Sequence, residues 1–329
     1  MTLIYLLIYK IGLLEYSLFK STNKYSYLAF RKLHGLTNGK INETYSQKVS
    51  RKNGKHQFPE VTNGLTGQLN SERLNSITSK IKEQGYYIFD EKLSEDVCEN
   101  ITNYFSKIPS KAIAEDNSKH HLIYDRQNPI APIYRFDEAE ILKNEDLSKI
   151  FYDINFVRLS QEYLGSKPLN NSIIMWWSAL YTKTASSRAA QLYHFDMDHP
   201  KFIKFFIYLT DVDSDSGPHC YVKKSHVSKP DSLIDDKRYS DSDISDNYEA
   251  SEIVEILGSK GTIVAVDTSG LHKGKLPVNK DRLIVQIEFT NSFFGQKVND
   301  LHVPDLPAVP DSQYQDAYGE VYTRVKTGS

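Results

Sequence analysis

The sequence predicts a mainly β fold with flanking helices, in which the strands form an antiparallel barrel or sandwich. Two observations support this prediction. Short runs rich in β-branched and aromatic residues follow one another from about residue 172 onward: SIIMWWSALYT, FIKFFIYLTDV, EIVEIL, GTIVAV and RLIVQIEFT. No helical pattern of convincing length separates these runs, which disfavours a doubly wound parallel sheet. A chain of 329 residues can add helical flanks to such a core.

The first 20 residues predict a mostly buried helix, because leucines recur near helical spacing while apolar residues also occupy the other faces. Lys10 and Glu15 interrupt it as a membrane-spanning segment, and it lacks the charged start and cleavage site of a signal peptide. Residues 1–57 contain ten Lys and Arg against two Glu, a net charge of +8. Peripheral attachment to an anionic membrane, or contact with a protein partner, is therefore the alternative.

Residues 52–71 are rich in Gly, Asn and polar residues and predict a linker. A helix follows, with Ser71 as its N-cap and Gly85 as its stop, and then a short strand and a second helix. We expect an N-terminal helical and basic flank with linker at 1–71, one domain at 72–300 and a C-terminal tail at 301–329. The long polar loop at 228–251 is either a lid or a mobile insertion.

Composition excludes two classes of function. The net charge of -2 removes any overall argument for nucleic-acid binding. Two cysteines are too few for a disulfide scaffold or a thiolate metal cluster, so we expect a reducing, cytoplasmic location.

The candidate chemistry lies in two clusters. In QLYHFDMDHP, His194 and Asp196 project from the same face of an extended strand. In GTIVAVDTSGLHKG, a turn after a strand delivers His272. Two imidazoles and one carboxylate form the facial set that binds non-heme Fe(II) and leaves coordination positions open.

Arg282 follows His272 by ten residues and begins the strand RLIVQIEF. Alternation places Arg282 in a mainly polar row with Ile284, Gln286 and Glu288, opposite an apolar row. A guanidinium aimed into a barrel mouth suits the distal carboxylate of a dicarboxylic acid, which its planar fork can pair bidentately.

Other histidines compete as ligands. His199, His219 and His226 lie near in sequence, and His219 could replace His272 as the third ligand. We favour His272 because it combines a strand-end position with a following Arg. Of the paired Trp176 and Trp177, alternation sends one inward, as core packing or as a substrate wall.

The chain resembles the phytanoyl-CoA dioxygenase (PhyH) family of Fe(II)- and 2-oxoglutarate-dependent oxygenases. The resemblance rests on HFD at 194–196, FIKFFIYLTDVDSDSGPHCYVKKSH at 202–226 and GTIVAVDTSGLHKG at 261–274 with Arg282, and it extends upstream to IKEQGYYIF. It covers about residues 72–295 and leaves residues 1–71 unexplained.

The resemblance implies a double-stranded β-helix, a jelly-roll and cupin-like core. It implies that His194, Asp196 and His272 bind iron and that Arg282 binds 2-oxoglutarate. It also implies that the enzyme uses O2 to hydroxylate a small molecule such as a lipid, sugar or metabolite, and that it releases succinate and CO2. Phe195 departs from the family, in which many relatives carry a polar residue between the His and the Asp.

Two rival functions stay open at this level. A cupin-like metal-binding isomerase, or a non-catalytic barrel that binds a small molecule or sugar, would keep the fold without needing Arg282. Alternatively, the basic N-terminal region is the working part and the barrel is a docking module.

Overall fold

The computed structural model describes residues 2–114, 119–308 and 311–327. Its helices of five residues or more are α1 (Thr2–Phe19), α2 (Lys24–Thr37), α3 (Lys40–Asn53), α4 (Ser71–Gln84), α5 (Glu95–Phe105), α6 (Glu138–Lys143), α7 (Glu145–Phe151), α8 (Ile154–Leu164), α9 (Asp241–Ser245) and α10 (Gln315–Val321).

The strands of the described residues are β1 (Thr62–Gly64), β2 (Gly67–Leu69), β3 (Tyr86–Lys92), β4 (Ser110–Ile113), β5 (Lys119–Leu122), β6 (Ile133–Arg135), β7 (Leu169–Ser178), β8 (Phe202–Tyr208), β9 (His219–Val222), β10 (Ile253–Ile256), β11 (Thr262–Val266), β12 (His272–Gly274), β13 (Arg282–Thr290), β14 (Leu301–His302) and β15 (Val325–Lys326).

Two facing antiparallel sheets form the centre of the protein. The large sheet has the order β3-β11-β8-β13-β7-β6-β4-β5, and the small sheet has the order β10-β9-β12. A further bridge pairs His194 with His272, so the segment that contains His194 extends the small sheet beyond β12. Apolar side chains from both sheets, including Phe206, Tyr221 and Ile284, pack in the space between them. This arrangement confirms the predicted mainly β fold with a jelly-roll core.

The large sheet has two different faces, as the alternation in β13 predicts. Its outward row of Leu283, Val285, Ile287 and Phe289 joins the main hydrophobic core under the helices. Helix α8 provides much of the opposite side of that core: its Phe156 ring stacks on Phe205 with ring centroids 4.3 Å apart. The inward row is therefore free to face the small sheet.

The N-terminal segment is helical as predicted, but the expectation that it is mostly buried is wrong. Only Tyr9 and Gly12 of α1 are buried. Gly12 lies where α1 crosses α2, and a Cβ there would come within 2.2 Å of Ser26. One face of α1 therefore packs on α2 and the opposite face is exposed.

The segment at 52–71 is more ordered than the predicted linker. It contains the hairpin β1–β2, in which the Thr62 hydroxyl donates to the side-chain oxygen of Asn155 at 2.6 Å. Helix α4 is capped by Asn70 and not by Ser71, because the Asn70 side chain accepts from the backbone N–H of Arg73. Gly85 ends this helix in the left-handed conformation, as predicted.

Two other segments pack against the body. Leu233, Tyr239 and Ile244, within 228–251, cover the outer face of the small sheet. In the C-terminal segment, Tyr318 and Tyr322 join the main core and donate to the backbone carbonyls of α7 and its C-cap.

Candidate metal and 2-oxoglutarate site

The structure brings together the three side chains that the sequence singles out as metal ligands. His194 and His272 exchange backbone hydrogen bonds across the edge of the small sheet, and the Asp196 N–H donates to the Thr268 carbonyl. Because residues two apart in an extended segment share a face, His194 and Asp196 both point inward toward His272. One ligand atom from each residue lies within 4.8 Å of the other two.

The two imidazoles are oriented by their own backbone. Nδ1 of His194 lies 3.0 Å from the Leu192 carbonyl, and Nδ1 of His272 lies 2.9 Å from the Gly270 carbonyl. A carbonyl can only accept, so each Nδ1 carries the proton and each Nε2 presents a lone pair. The Nε2 atoms lie 3.7 and 3.5 Å from the two oxygens of Asp196.

Burial keeps these histidines neutral. Desolvation, followed by the neighbouring His272, lowers the pKa of His194 to about 3, against the opposing effect of Asp196. Desolvation also lowers the pKa of His272. For Asp196, burial opposes ionisation, but the ammonium of Lys204 outweighs it and lowers the carboxyl pKa. The protonation states of all three side chains therefore suit a divalent cation.

Lys204 on β8 is a site residue to which sequence reasoning assigned no role. It is buried, and its Nζ lies 2.7 Å from Asp196 Oδ2, 3.3 Å from Asp198 Oδ2 and 3.6 Å from Glu288 Oε2. A lone lysine in the otherwise apolar strand FIKFFIYL was the signal that could have revealed it. Its ammonium fixes the orientation of the Asp196 carboxylate, and Lys204 lines the same cavity as the three ligands.

Arg282 lies on the same cavity and is 4% exposed. Its guanidinium donates to the Gly217 carbonyl and, at 3.4 Å, to the Ser178 hydroxyl. Its Nε has no hydrogen-bond partner in the described part of the chain, and no described carboxylate forms an ion pair with it. A buried cation without a counter-ion is suited to an anionic ligand.

The ligand atoms and Arg282 line one cavity of about 290 Å³. Trp176 is the tryptophan that faces it, whereas Trp177 belongs to the main core. Ile113, Ile133 and Ile174 add an apolar wall. Exposed Arg135 and Arg188 complete the rim.

The competing histidines occupy other positions. His199 is buried with Nε2 3.0 Å from the Asn171 side-chain oxygen, and His226 Nε2 contacts the Lys82 carbonyl. His219 lies beside the cluster, with its ring centroid 5.3 Å from that of His272, but it is not among the three converging ligand groups.

Phe195 points to the opposite side of its strand from His194 and Asp196. It is buried in the outer cluster, with its ring centroid 5.5 Å from that of His34 and the Lys229 Nζ 4.5 Å above the ring. The departure from a polar residue at this position therefore leaves the ligand side of the strand unchanged.

Comparison with known proteins agrees with this geometry. A family model described as Phytanoyl-CoA dioxygenase (PhyH) matches residues 81–277. The chain belongs to this family. The phytanoyl-CoA dioxygenase family uses Fe(II), 2-oxoglutarate and O2, and these are the cofactors of this enzyme. No curated protein matches the sequence.

The solved structures that are similar in fold to this chain have a low sequence identity to it. The epimerase SnoN in complex with Fe3+, alpha ketoglutarate and nogalamycin RO is 13% identical, with a TM-score of 0.49 over 67% of this chain and 84% of that chain. HygX from Streptomyces hygroscopicus with nickel, 2-oxoglutarate and hygromycin B bound is 11% identical, with a TM-score of 0.47 over 73% and 94%. The carbocyclase SnoK is 15% identical, with a TM-score of 0.43 over 67% and 84%.

The residues of this chain fit the family's cofactors. Two imidazole Nε2 atoms and one carboxylate lie within 4.8 Å of one another and line one cavity, which has room for further ligands. The unneutralised guanidinium of Arg282 can pair with a carboxylate. Both groups of atoms lie on the same cavity, as iron and a chelating dicarboxylic acid require.

Proposed function

We propose that this 2-oxoglutarate-dependent enzyme hydroxylates a small organic molecule. In the balanced reaction, one oxygen atom of O2 enters succinate as 2-oxoglutarate loses CO2, and the other enters the product as a C–H bond becomes C–OH. Two electrons come from the 2-oxo acid and two from the substrate. No other reductant is needed for the coupled reaction.

One observation carries the proposal: the ligand atoms of His194, Asp196 and His272 converge on the cavity that also contains the unpaired Arg282. A barrel that only binds a sugar, or an isomerase that does not use 2-oxoglutarate, has no need of a buried cation beside the metal ligands. Belonging to a 2-oxoglutarate-dependent family supports the same conclusion.

Each residue of the site has a distinct task in this proposal. His194, Asp196 and His272 hold Fe(II), which when bound supplies the activation of O2 and the oxidising power. Arg282 binds the distal carboxylate of 2-oxoglutarate and so orients its 2-oxo acid end toward the metal ligands. Lys204 keeps Asp196 ionised and fixed in position.

The remaining cavity wall supports a small substrate with an apolar portion. Ile113, Ile133, Ile174 and Trp176 offer hydrocarbon and aromatic surface. The cavity of about 290 Å³ must also hold 2-oxoglutarate, so the room that it leaves favours a small substrate. Arg135 and Arg188 at the rim suit a substrate that also carries an acidic or hydrogen-bond-accepting group.

The test is turnover of 2-oxoglutarate by the full chain with Fe(II) and O2. We expect slow succinate formation without a second substrate and faster formation with the correct one, whose product gains about 16 Da for one oxygen atom. The screen pairs apolar acids with their neutral amides, and it includes lipids and sugars. Asp196→Ala is expected to abolish succinate formation, whereas Asp246→Ala, at an exposed position that does not line the cavity, is expected to keep it.

Three results would overturn the proposal. Failure of the Fe(II)-loaded protein to bind 2-oxoglutarate under anaerobic conditions would favour the non-catalytic barrel. Substrate-stimulated succinate release with a product that is about 2 Da lighter would show an oxidative ring closure or desaturation in place of hydroxylation. A product of unchanged mass would show an epimerisation, whose second pair of electrons comes from an added reductant.

A further inference from the structure

The N-terminal helices α1 and α2 form a hairpin whose inner side is fixed to the body of the enzyme. Tyr9 of α1 and Phe30 of α2 both pack on Phe294, with ring centroids 5.7 and 5.6 Å from it. Tyr27 donates to the Met197 carbonyl at 3.1 Å, and Arg31 pairs with Asp236. The hairpin therefore presents its outer side in a fixed orientation relative to the barrel.

The outer side of α1 is an unusually apolar surface. Its six large aliphatic side chains are between 49% and 81% exposed: Leu3, Ile4, Leu7, Ile11, Leu14 and Leu18. At 3.6 residues per turn these positions fall within an arc of about 100°, on a helix about 27 Å long. We call these six residues the apolar face. Contiguous exposed apolar surface of this kind marks an interaction site.

Lysines lie beside the apolar face. Lys10 is exposed on the same side of α1, Lys20 and Lys24 are exposed at the turn into α2, and Lys32 is exposed on α2 close to the exposed Leu28. Residues 1–57 carry +8, whereas a total of -2 for the chain leaves -10 for residues 58–329. An anionic partner is therefore attracted to the N-terminal helices and repelled by the rest of the protein.

We propose that the apolar face docks the enzyme on the surface of an anionic lipid bilayer. The apolar face would insert among the lipid chains while the neighbouring lysines contact anionic headgroups, which supplies the two signals that stable peripheral binding requires. Two copies of this chain joined through the face would bring two strongly positive segments together, so the charge favours lipid over self-association.

The helix lies along the bilayer in this proposal and does not cross it. Among the described residues, α1 is the one helix long and apolar enough to span a membrane by length and composition. However, its Tyr9 and Gly12 side is occupied by α2, and Glu15 hydrogen-bonds to Asn23 at the base of the hairpin. Crossing would require breaking these contacts and placing Lys10 and Glu15 in hydrocarbon.

The experiment is co-sedimentation of the full chain with vesicles of phosphatidylcholine alone or of phosphatidylcholine mixed with phosphatidylserine. We expect binding to the mixed vesicles, weaker binding to phosphatidylcholine and release by high salt. The double variant Leu7→Asp, Leu14→Asp replaces side chains that are 61% and 63% exposed, so the fold is retained. Its partition coefficient is expected to fall by about tenfold or more.

The control is the double variant Ile123→Asp, Val278→Asp, which introduces the same two negative charges at positions that are 51% and 61% exposed and far from α1 in sequence. It is expected to bind vesicles like the original chain. The proposal is overturned if the original chain stays in the supernatant with mixed vesicles, or if the double variant binds as well as the control. It is also overturned if light scattering shows a dimer that the double variant dissociates while vesicles bind neither protein. None of these results depends on 2-oxoglutarate turnover.

Discussion

Replacement of Arg282 by Met is the sharpest test of how the site holds its cosubstrate. The guanidinium is buried, already bonded to Gly217 and Ser178, and lacks an anionic partner in the described residues. Arg282→Met keeps most of the side-chain volume and removes the charge. The variant is therefore expected to lose affinity for 2-oxoglutarate while its metal ligands remain in place.

The magnitude follows from the bonds that are lost. A bidentate pair between a guanidinium and a carboxylate comprises two charge-assisted hydrogen bonds of about 1.5–3 kcal/mol each. Their loss costs about 3–6 kcal/mol of binding free energy, which corresponds to a dissociation constant for 2-oxoglutarate that is roughly 10²- to 10⁴-fold larger. No reduction for solvent screening applies, because Arg282 is only 4% exposed.

The assay is anaerobic calorimetric titration of 2-oxoglutarate into the Fe(II)-loaded protein. Fe(II) affinity, measured separately, is expected to change little in Arg282→Met. Arg51→Met is the matched control, since Arg51 is exposed on α3. If Arg282→Met binds 2-oxoglutarate as tightly as the control does, Arg282 is not the cosubstrate anchor and the reasoning fails.

Three further results are expected. Lys204→Met removes the ammonium that positions Asp196, so Fe(II) binding should weaken by about 10- to 100-fold. The affinity is measured by competition with a chromophoric chelator, and an unchanged affinity would contradict the positioning role of Lys204. His34 is buried, and desolvation, followed by Lys229, lowers its pKa from 6.5 to about 4. The unfolded chain therefore binds a proton at this residue first, and His34 by itself should lower the free energy of unfolding by about 3 kcal/mol as the pH drops from 6.5 through 4. Urea titrations across this range should show a shallower decline for His34→Gln, and parallel curves would refute the assignment. Phe156→Ala removes a ring that stacks on Phe205. The free energy of unfolding, measured by urea titration, should fall by about 3–5 kcal/mol. A smaller loss would show that the core between α8 and the large sheet relaxes around the gap.

The ligand residues and Arg282 could be selected from the sequence although they lie in separate segments, because each of them belongs to a recognisable local pattern. Alternation in 282–290 separated the row of Arg282 from the core row, and the structure has the same division. The spacing of His194 and Asp196 placed both on one face of an extended segment. The choice between His219 and His272 was not local, since it depends on which strand pairs with the His194 segment.

Pattern reasoning failed where a residue's environment comes from distant segments. Lys204 looked like an ordinary lysine, yet β8 places it between Asp196, Asp198 and Glu288. The apolar composition of α1 predicted a buried helix, because composition cannot show that only one face of the helix packs against the rest of the protein. The loop at 228–251 gave no sign that it covers the outer side of the small sheet.

The sequence alone determined the strand alternation, the ligand types and the excess of positive charge at the N-terminus, since these depend on residue identity and on periods of two or 3.6 residues. The tertiary structure alone decided which ligands meet, which charges neutralise one another and which apolar face stays in contact with solvent. The physical reason is that burial and Coulomb interactions depend on distance in space, and strand pairing joins segments that lie far apart in the chain.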